Sequence, residues 1–361
     1  MKDSSENYSN NENNKRIDNI LKRMNEKGYD GMLVTQFSNI NYISNCNPSS
    51  FAVCLLKEDP ILFTVAMDKQ LADETSKIEV EVFKSITDLK KVFKKEKLEK
   101  IAIEGNFHIN SYNRLKADET KGENWLMKVE NFVEKERMIK SPQEIAKIKK
   151  ATQIAHESFL ELDIREKQAN GLTDWEVAYE LGYLIRSNGG SGESFETILA
   201  SDQTSSYPHG IIENKKLGNL ILMDWGAIYN NYSSDTSRTM IDENNEKQKE
   251  IFDIVLEAQK ATIDGVKSGV KASKLDKIAR SIIKEYGYED KFTHATGHGV
   301  GLEVHESPSI SKKDETILEE NMVITIEPGI YLEGEFGIRI EDMLIVGKNK
   351  GEIIGNLPYN I

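Results

Sequence analysis

The chain has 361 residues and carries 60 acidic against 47 basic side chains, a formal net charge of −13. That length accommodates two domains with a sizeable core in each, and the acidic balance argues against a general binder of nucleic acid or anionic membrane. No apolar run approaches a membrane span and the polar, Asn-rich start lacks a hydrophobic signal core, so a cytoplasmic protein with no membrane partner is expected.

Residues 1–12 have almost no apolar content and are expected as a disordered tail. Over 13–130 the pattern predicts a small N-terminal α/β domain. It has a helix around Ile17 to Lys27 and apolar strands near Gly31 to Val34, Phe51 to Leu56 and Ile61 to Val65. A further strand at Ile101 to Glu104 follows a helix whose lysines alternate with apolar residues and read as a solvated face. Cys46 and Cys54 have no CxxC spacing and read as reduced core thiols. This region lacks the repeated carboxylate pattern found further on, and reads as a lid or assembly module.

A linker is expected over 131–140 and the catalytic domain over 141–361. Ser141-Pro142-Gln143-Glu144 combines an N-cap serine, a first-turn proline and a glutamate at the third helical position. A second helix starts similarly at Thr173 and stops at Asn188-Gly189-Gly190, and two more are expected near 245–267 and 273–286. The order helix, helix, strands then recurs, which predicts an α+β fold of two related halves.

Each half carries the same chemistry. Leu222-Met223-Asp224-Trp225-Gly226 and Thr325-Ile326-Glu327-Pro328-Gly329 are apolar runs ending in a carboxylate, and each is followed by a second acid near an arginine, Asp235 before Arg238 and Glu341 after Arg339. Carboxylates at the ends of buried strands are costly unless a cation compensates them, so four in a duplicated frame suggest a shared metal centre. A turn at Asn230-Asn231 would set Asp224 opposite position 237 and put Asp235 on the same face, whereas a turn one residue nearer Tyr229 would change that pairing. Arg339 and Glu341 lie two apart and share a face, while Asp342 points away. His294, His298 and His305, three of six histidines, fall within twelve residues in a glycine-rich stretch. A single histidine is ordinarily structural, but the clustering points to a site.

In order and local context, Asp224, Asp235, His298, Glu327 and Glu341 resemble the five metal ligands of the pita-bread metallopeptidases, which include methionine aminopeptidase, aminopeptidase P and prolidase. The matching segments are Met-Asp-Trp-Gly-Ala, Ser-Asp-Thr-Ser-Arg-Thr, Gly-His-Gly-Val-Gly, Ile-Glu-Pro-Gly-Ile-Tyr and Arg-Ile-Glu-Asp. Asn39-Ile40-Asn41-Tyr42-Ile43 resembles the creatinase-type N-domain, and Phe195 to Ser201 with Pro208-His209-Gly210 resembles the prolidase and aminopeptidase P branch. Trp225 stands for the family's usual Phe, Ser237 for Thr, Asn231 for Gly, and Asn45-Cys46 for Gly-Phe.

The resemblance implies a pita-bread catalytic domain holding two divalent ions, with Asp235 and Glu341 bridging. Mn²⁺ suits the oxygen-rich donors, with Co²⁺, Fe²⁺ or Zn²⁺ as alternatives. It implies catalytic roles for His305 and His209, substrate contacts from His294, Arg339, Tyr331 and Phe195, and a homodimer. The implied activity is hydrolysis of Xaa-Pro dipeptides before the proline, with removal of the N-terminal residue from longer Xaa-Pro peptides as the alternative. A non-catalytic pita-bread binding module is the distant rival, and the intact ligand set argues against it.

Overall fold

The computed structural model describes residues 2–116, 126–210 and 212–360, and divides into two compact units, Met1–Arg137 and Met138–Ile361. The first is built on a six-stranded mixed sheet in the order Glu79–Val82, Ile61–Thr64, Ala52–Leu56, Gly31–Val34, Lys100–Ile103, Leu126–Val129. The central strands are buried throughout, which is why they read as continuous apolar runs. Leu33, Val53, Phe63, Phe93 and Ile101 form its core. Cys46 and Cys54 are buried free thiols.

Three features of this unit differ from expectation. The first helix spans Lys2–Glu26, running through residues expected as a tail, while Met1 lies outside the described residues. Its buried Ile17, Ile20 and Met24 anchor the C-terminal turns, and once nucleated a helix propagates into polar sequence at little cost. The stretch expected as a linker contains the helix Phe132–Arg137. Phe132 meets Tyr29 edge-on at 5.8 Å, and Arg137 donates to Asn39 Oδ1 at 2.6 Å, contacts that no local pattern announces. The edge strand Glu79–Val82 also went unpredicted, because its alternation places charged residues on a largely exposed strand.

In the second unit the capping boxes form as read. Ser141 Oγ accepts from the Glu144 N–H while Glu144 accepts from the Ser141 N–H, and Thr173 with Glu176 repeats the arrangement. The helices Pro142–Leu162 and Asp174–Ser187 precede one hairpin system, and Glu246–Asp264 and Ala272–Glu285 precede the other. Trp225, fully buried, stacks on Phe159 at 4.5 Å and donates its indole N–H to Ala155 O at 3.0 Å, so the larger ring in place of phenylalanine is both packed and satisfied.

The two hairpins are each bent midway. Ile221–Trp225 pairs with Thr236–Met240, and beyond Gly226 the ladder resumes as Ala227–Tyr229 with Tyr232–Ser233. Val323–Ile326 pairs with Asp342–Val346 and, beyond Glu327-Pro328, Gly329–Leu332 pairs with Phe336–Arg339. The bend needs glycine: a Cβ on Gly226 would stand 1.9 Å from Ser234 O. Asn230 and Asn231 take positive φ of 47° and 69° at the first turn, which aligns Asp224 with Ser237. Asp235, Glu327 and Glu341 fall at the bends, where the ladder opens and side chains converge.

Candidate metal centre

The carboxylates converge because the bends face one cavity. Continuing the register across the second bend sets Glu327 opposite Glu341, and Ile198 flanks Asp224 on its other side. His298 enters from the strand Gly297–Gly299, which lies between Glu306–Ile310 and Val323–Ile326. Close approach of that strand requires Gly297, since a Cβ there would meet Thr325 O at 2.0 Å. Asp235, His298 and Glu341 each present a donor atom, all within 4.8 Å of one another, and Glu327 Oε1 lies 3.3 Å from His298 Nε2.

The donors fit a divalent cation. Asp224 Oδ1, Asp235 Oδ1 and Glu341 Oε1 are buried with no hydrogen-bond partner among the described residues, which is costly for an ionised carboxylate unless a cation faces it. Burial, then repulsion from Glu341, Asp224 and Glu327, holds the Asp235 carboxyl well above the usual range. Burial, then Glu327 and Asp224, does the same to Glu341. Glu327 is raised chiefly by burial, with Arg339 opposing. His298 Nδ1 lies 3.0 Å from Gly299 O; a carbonyl can only accept, so Nδ1 carries the proton and Nε2 turns its lone pair to the carboxylates. Burial lowers its pKa, keeping the ring neutral as a ligand must be.

A hydrogen-bonded frame fixes these donors. Arg339, buried, donates from Nη2 to Asp224 Oδ2 at 2.6 Å, from Nε to Ser237 Oγ at 2.9 Å, and from Nη1 to Tyr331 Oη at 2.8 Å and Pro208 O at 2.7 Å. Ser237 Oγ in turn donates a hydrogen bond to Glu341 Oε2 at 2.7 Å. Tyr331 Oη is 2.9 Å from His294 Nε2, and His294 Nδ1 is 2.7 Å from Ala295 O, so the chain of donors runs Arg339, Tyr331, His294, Ala295 O. Burial, followed by the Arg339 charge, depresses the His294 pKa to about 3. Arg339 shares a face with Glu341, as strand parity predicts, yet it grips Asp224 directly and reaches Glu341 through Ser237.

Phe195, His209, His294, His298, His305 and Arg339 line one cavity of about 550 Å³ with Asp224, Asp235 and Glu327. Tyr331 and Glu341 stand behind that lining. His209 and His305 are exposed at it, and the His305 ring meets His298 edge-on at 4.4 Å. Two contributors were missed. Thr325 accepts from the His298 N–H at 3.0 Å and donates to Glu327 Oε1 at 3.3 Å; its place two residues before Glu327 could have flagged it by strand parity. Arg280 donates to Phe292 O at 2.8 Å and to His294 O, from a helix with no local signal linking it to the site.

Residues 146–348 match the model of metallopeptidase family M24, and 16–139 match the creatinase/prolidase N-terminal domain. The chain belongs to metallopeptidase family M24. It is 40% identical over 340 residues to a Xaa-Pro dipeptidase of Pyrococcus horikoshii, covering 93% of this chain and 95% of that one. A solved Xaa-Pro dipeptidase from Bacillus anthracis superposes with a TM-score of 0.89 at 33% identity, over 97% of this chain and 99% of that one. A solved X-Pro aminopeptidase from Thermotoga maritima gives 0.87 at 35% identity, over 96% and 98%. The fold is therefore the creatinase-type N-domain with a pita-bread catalytic domain, and M24 membership makes the chain a peptidase that uses divalent metal. Among the described residues, no helix is long and apolar enough to cross a membrane.

Proposed function

We propose that this chain is a Xaa-Pro dipeptidase, hydrolysing the peptide bond before proline with two divalent ions held by Asp224, Asp235, His298, Glu327 and Glu341. The observation that carries the reading is the convergence of four carboxylates, three with orphaned buried oxygens, around one neutral imidazole. The chemistry such ions supply when bound is Lewis acidity toward the scissile carbonyl and an acidified water. Manganese is the proposed metal, because hard oxygen donors dominate the set.

The chain's own residues then divide the work. Arg339, through Asp224 and Ser237, holds the carboxylates in place, and through Tyr331 it fixes His294. His305, exposed at the cavity mouth with its pKa lowered by partial desolvation of the ring and then by His298, is placed to hydrogen-bond the carbonyl oxygen as charge develops. His209 and the apolar Phe195, Ile198 and Pro208 receive the proline, whose tertiary amide offers no N–H to a backbone-reading site. His305→Ala should lower turnover while leaving metal content intact.

A second reading, an aminopeptidase acting on longer Xaa-Pro peptides, is favoured by one observation. Arg339 is the only lysine or arginine in the described lining, and four of its five guanidinium donors are engaged by Ser237, Pro208, Tyr331 and Asp224, so a dipeptide's terminal carboxylate meets a cation that the protein has largely spent. The deciding measurement is kcat/KM on an Xaa-Pro dipeptide and on a matched longer peptide, with Mn²⁺ and with Co²⁺. Faster dipeptide hydrolysis upholds the first reading, and comparable or faster cleavage of the longer peptide moves it to the second. We further propose a cytoplasmic homodimer. The two buried free thiols fit a reducing compartment, and a solution mass of twice 40.9 kDa is the expected result for the dimer.

A further inference from the structure

Beside the metal cavity lies a second, larger groove of about 860 Å³, and the two share Phe195 and Glu196 as a common wall. One side of the groove is the helix Asp174–Ser187, whose Trp175, Tyr179 and Tyr183 recur every fourth residue and stand 50%, 70% and 69% exposed. Trp175 and Tyr179 meet edge-on at 5.7 Å, and no protein cation is seated over any of the three rings among the described residues.

Charge in the groove is unevenly settled. Glu193 accepts from Thr197 Oγ1 at 2.9 Å and faces Arg186 at 3.5 Å, while Arg186 also donates to Gly182 O at 2.9 Å. Asp224, Asp235 and Glu327 in the adjoining cavity belong to the proposed metal set. Glu196, exposed on the shared wall, is the one acidic group of either lining with neither a protein partner nor a role at the metals among the described residues. Exposed aromatic faces beside an uncompensated carboxylate suit a cation, and arginine above all, because its guanidinium both stacks on rings and pairs with a carboxylate.

We propose that this groove receives the side chain of the residue ahead of proline, and that Glu196 with the aromatic face selects a basic residue there, arginine before lysine. The inference rests on the Xaa-Pro reading above. Ile198, cross-strand neighbour of Asp224, starts the strand that Phe195 and Glu196 lead into, so the shared wall runs from the metal donors outward to the groove.

The test is kcat/KM for Arg-Pro, Leu-Pro and Glu-Pro with the full-length chain in Mn²⁺. Arg-Pro should exceed Leu-Pro about fivefold, the scale of a partly exposed ion pair, and the advantage should shrink as salt rises. Glu196→Gln should bring the Arg-Pro to Leu-Pro ratio near unity, Glu196→Lys should turn the preference toward Glu-Pro, and Tyr179→Ser should lower the ratio about twofold. Hydrolysis of Xaa-Pro dipeptides with no basic preference, or a ratio unmoved by Glu196→Gln, overturns this inference alone. Failure to cleave any Xaa-Pro substrate overturns the underlying reading with it. If Tyr179→Ser changes the solution mass and leaves the ratio intact, the aromatic face is covered by a second copy and the inference falls.

Discussion

The two bent hairpins of the catalytic unit carry similar residues to different ends. Each has an arginine close to its second acid, yet Arg339 lies in the site and Arg238 behind it. Arg339 is two residues before Glu341 and shares its face, whereas Arg238 is three after Asp235 and faces the other way. Arg238 therefore uses all five donors on structure: Asp342 Oδ1 at 2.7 Å and the carbonyls of Ser237, Glu341, Leu357 and Pro358. Asp342, the acid next to Glu341, also accepts from Gln259 at 2.6 Å. The hairpins are thus cross-linked on both faces, by Arg339–Asp224 and Ser237–Glu341 toward the candidate metal centre and by Arg238–Asp342 away from it. Position parity on a strand, more than residue type, separates a site residue from a scaffold residue.

The strongest way to break this comparison is to remove a site-facing acid from each hairpin. Asp235→Asn and Glu341→Gln should each cut metal content below two ions per chain and lower kcat by roughly a thousandfold or more, the scale set by losing the metals' electrostatic stabilisation. Metal analysis alongside kinetics checks it, and full activity in either variant would sink the ligand assignment. The arginines should then part company. Arg238→Met strands a buried Asp342 and should cost about 3–5 kcal/mol of stability in denaturant unfolding. Arg339→Met misplaces Asp224 and Tyr331, and kcat should fall about a hundredfold even where the metal-loaded chain remains folded. Equal loss of stability and activity in both variants would erase the distinction.

Smaller effects sharpen it. Ser237→Ala leaves Glu341 Oε2 and Arg339 Nε without their shared partner and should cost about 1–3 kcal/mol, measured by urea unfolding. Ser237→Thr keeps the hydroxyl and should behave as the parent. The last prediction concerns pH. The raised folded pKa values of Asp235 and Glu341 mean that the chelated, folded chain holds protons that the unfolded chain has released. Their stabilisation is full below the ordinary carboxylate range and is lost as pH rises through the folded values. Histidines with depressed pKa, such as His294 and His298, act oppositely but only as pH falls below the ordinary imidazole range. Above the ordinary imidazole range these histidines no longer contribute to the slope, so the melting temperature of the chelated chain should fall as pH rises until the raised carboxylate values are passed, and added Mn²⁺ should remove the slope. A flat profile after chelation would show the acids are not poised this way.

Much of the molecule was legible because its signals are local. Capping boxes at Ser141 and Thr173 need only four residues, the buried central strands of the first unit declare themselves by apolar runs, and the Asn230-Asn231 turn fixes the register that aligns Asp224 with Ser237. The four candidate carboxylates were readable as acids at the ends of buried strands, a pattern whose desolvation cost makes little sense without a cation, whereas His298 was singled out from three clustered histidines by the family resemblance. Less legible were the polar half of Lys2–Glu26, which extends a helix anchored by its apolar C-terminal turns, and Phe132–Arg137, which depends on Tyr29 and Asn39 far along the chain.

By itself the sequence determined the two-unit α/β and α+β composition and the duplicated helix-helix-strand frame, because periodicity, capping and strand parity act between near neighbours, and its family resemblance named the candidate donors. Only the tertiary structure decided that Arg339 grips Asp224 rather than Glu341, that Thr325 and Arg280 brace the histidines, and that Glu196 stands uncompensated between two cavities. Those outcomes depend on which strands are bent toward one another and on which charges meet in low dielectric, and both are fixed by contacts outside any local pattern, from 14 residues apart for Arg280 and His294 to 115 for Arg339 and Asp224.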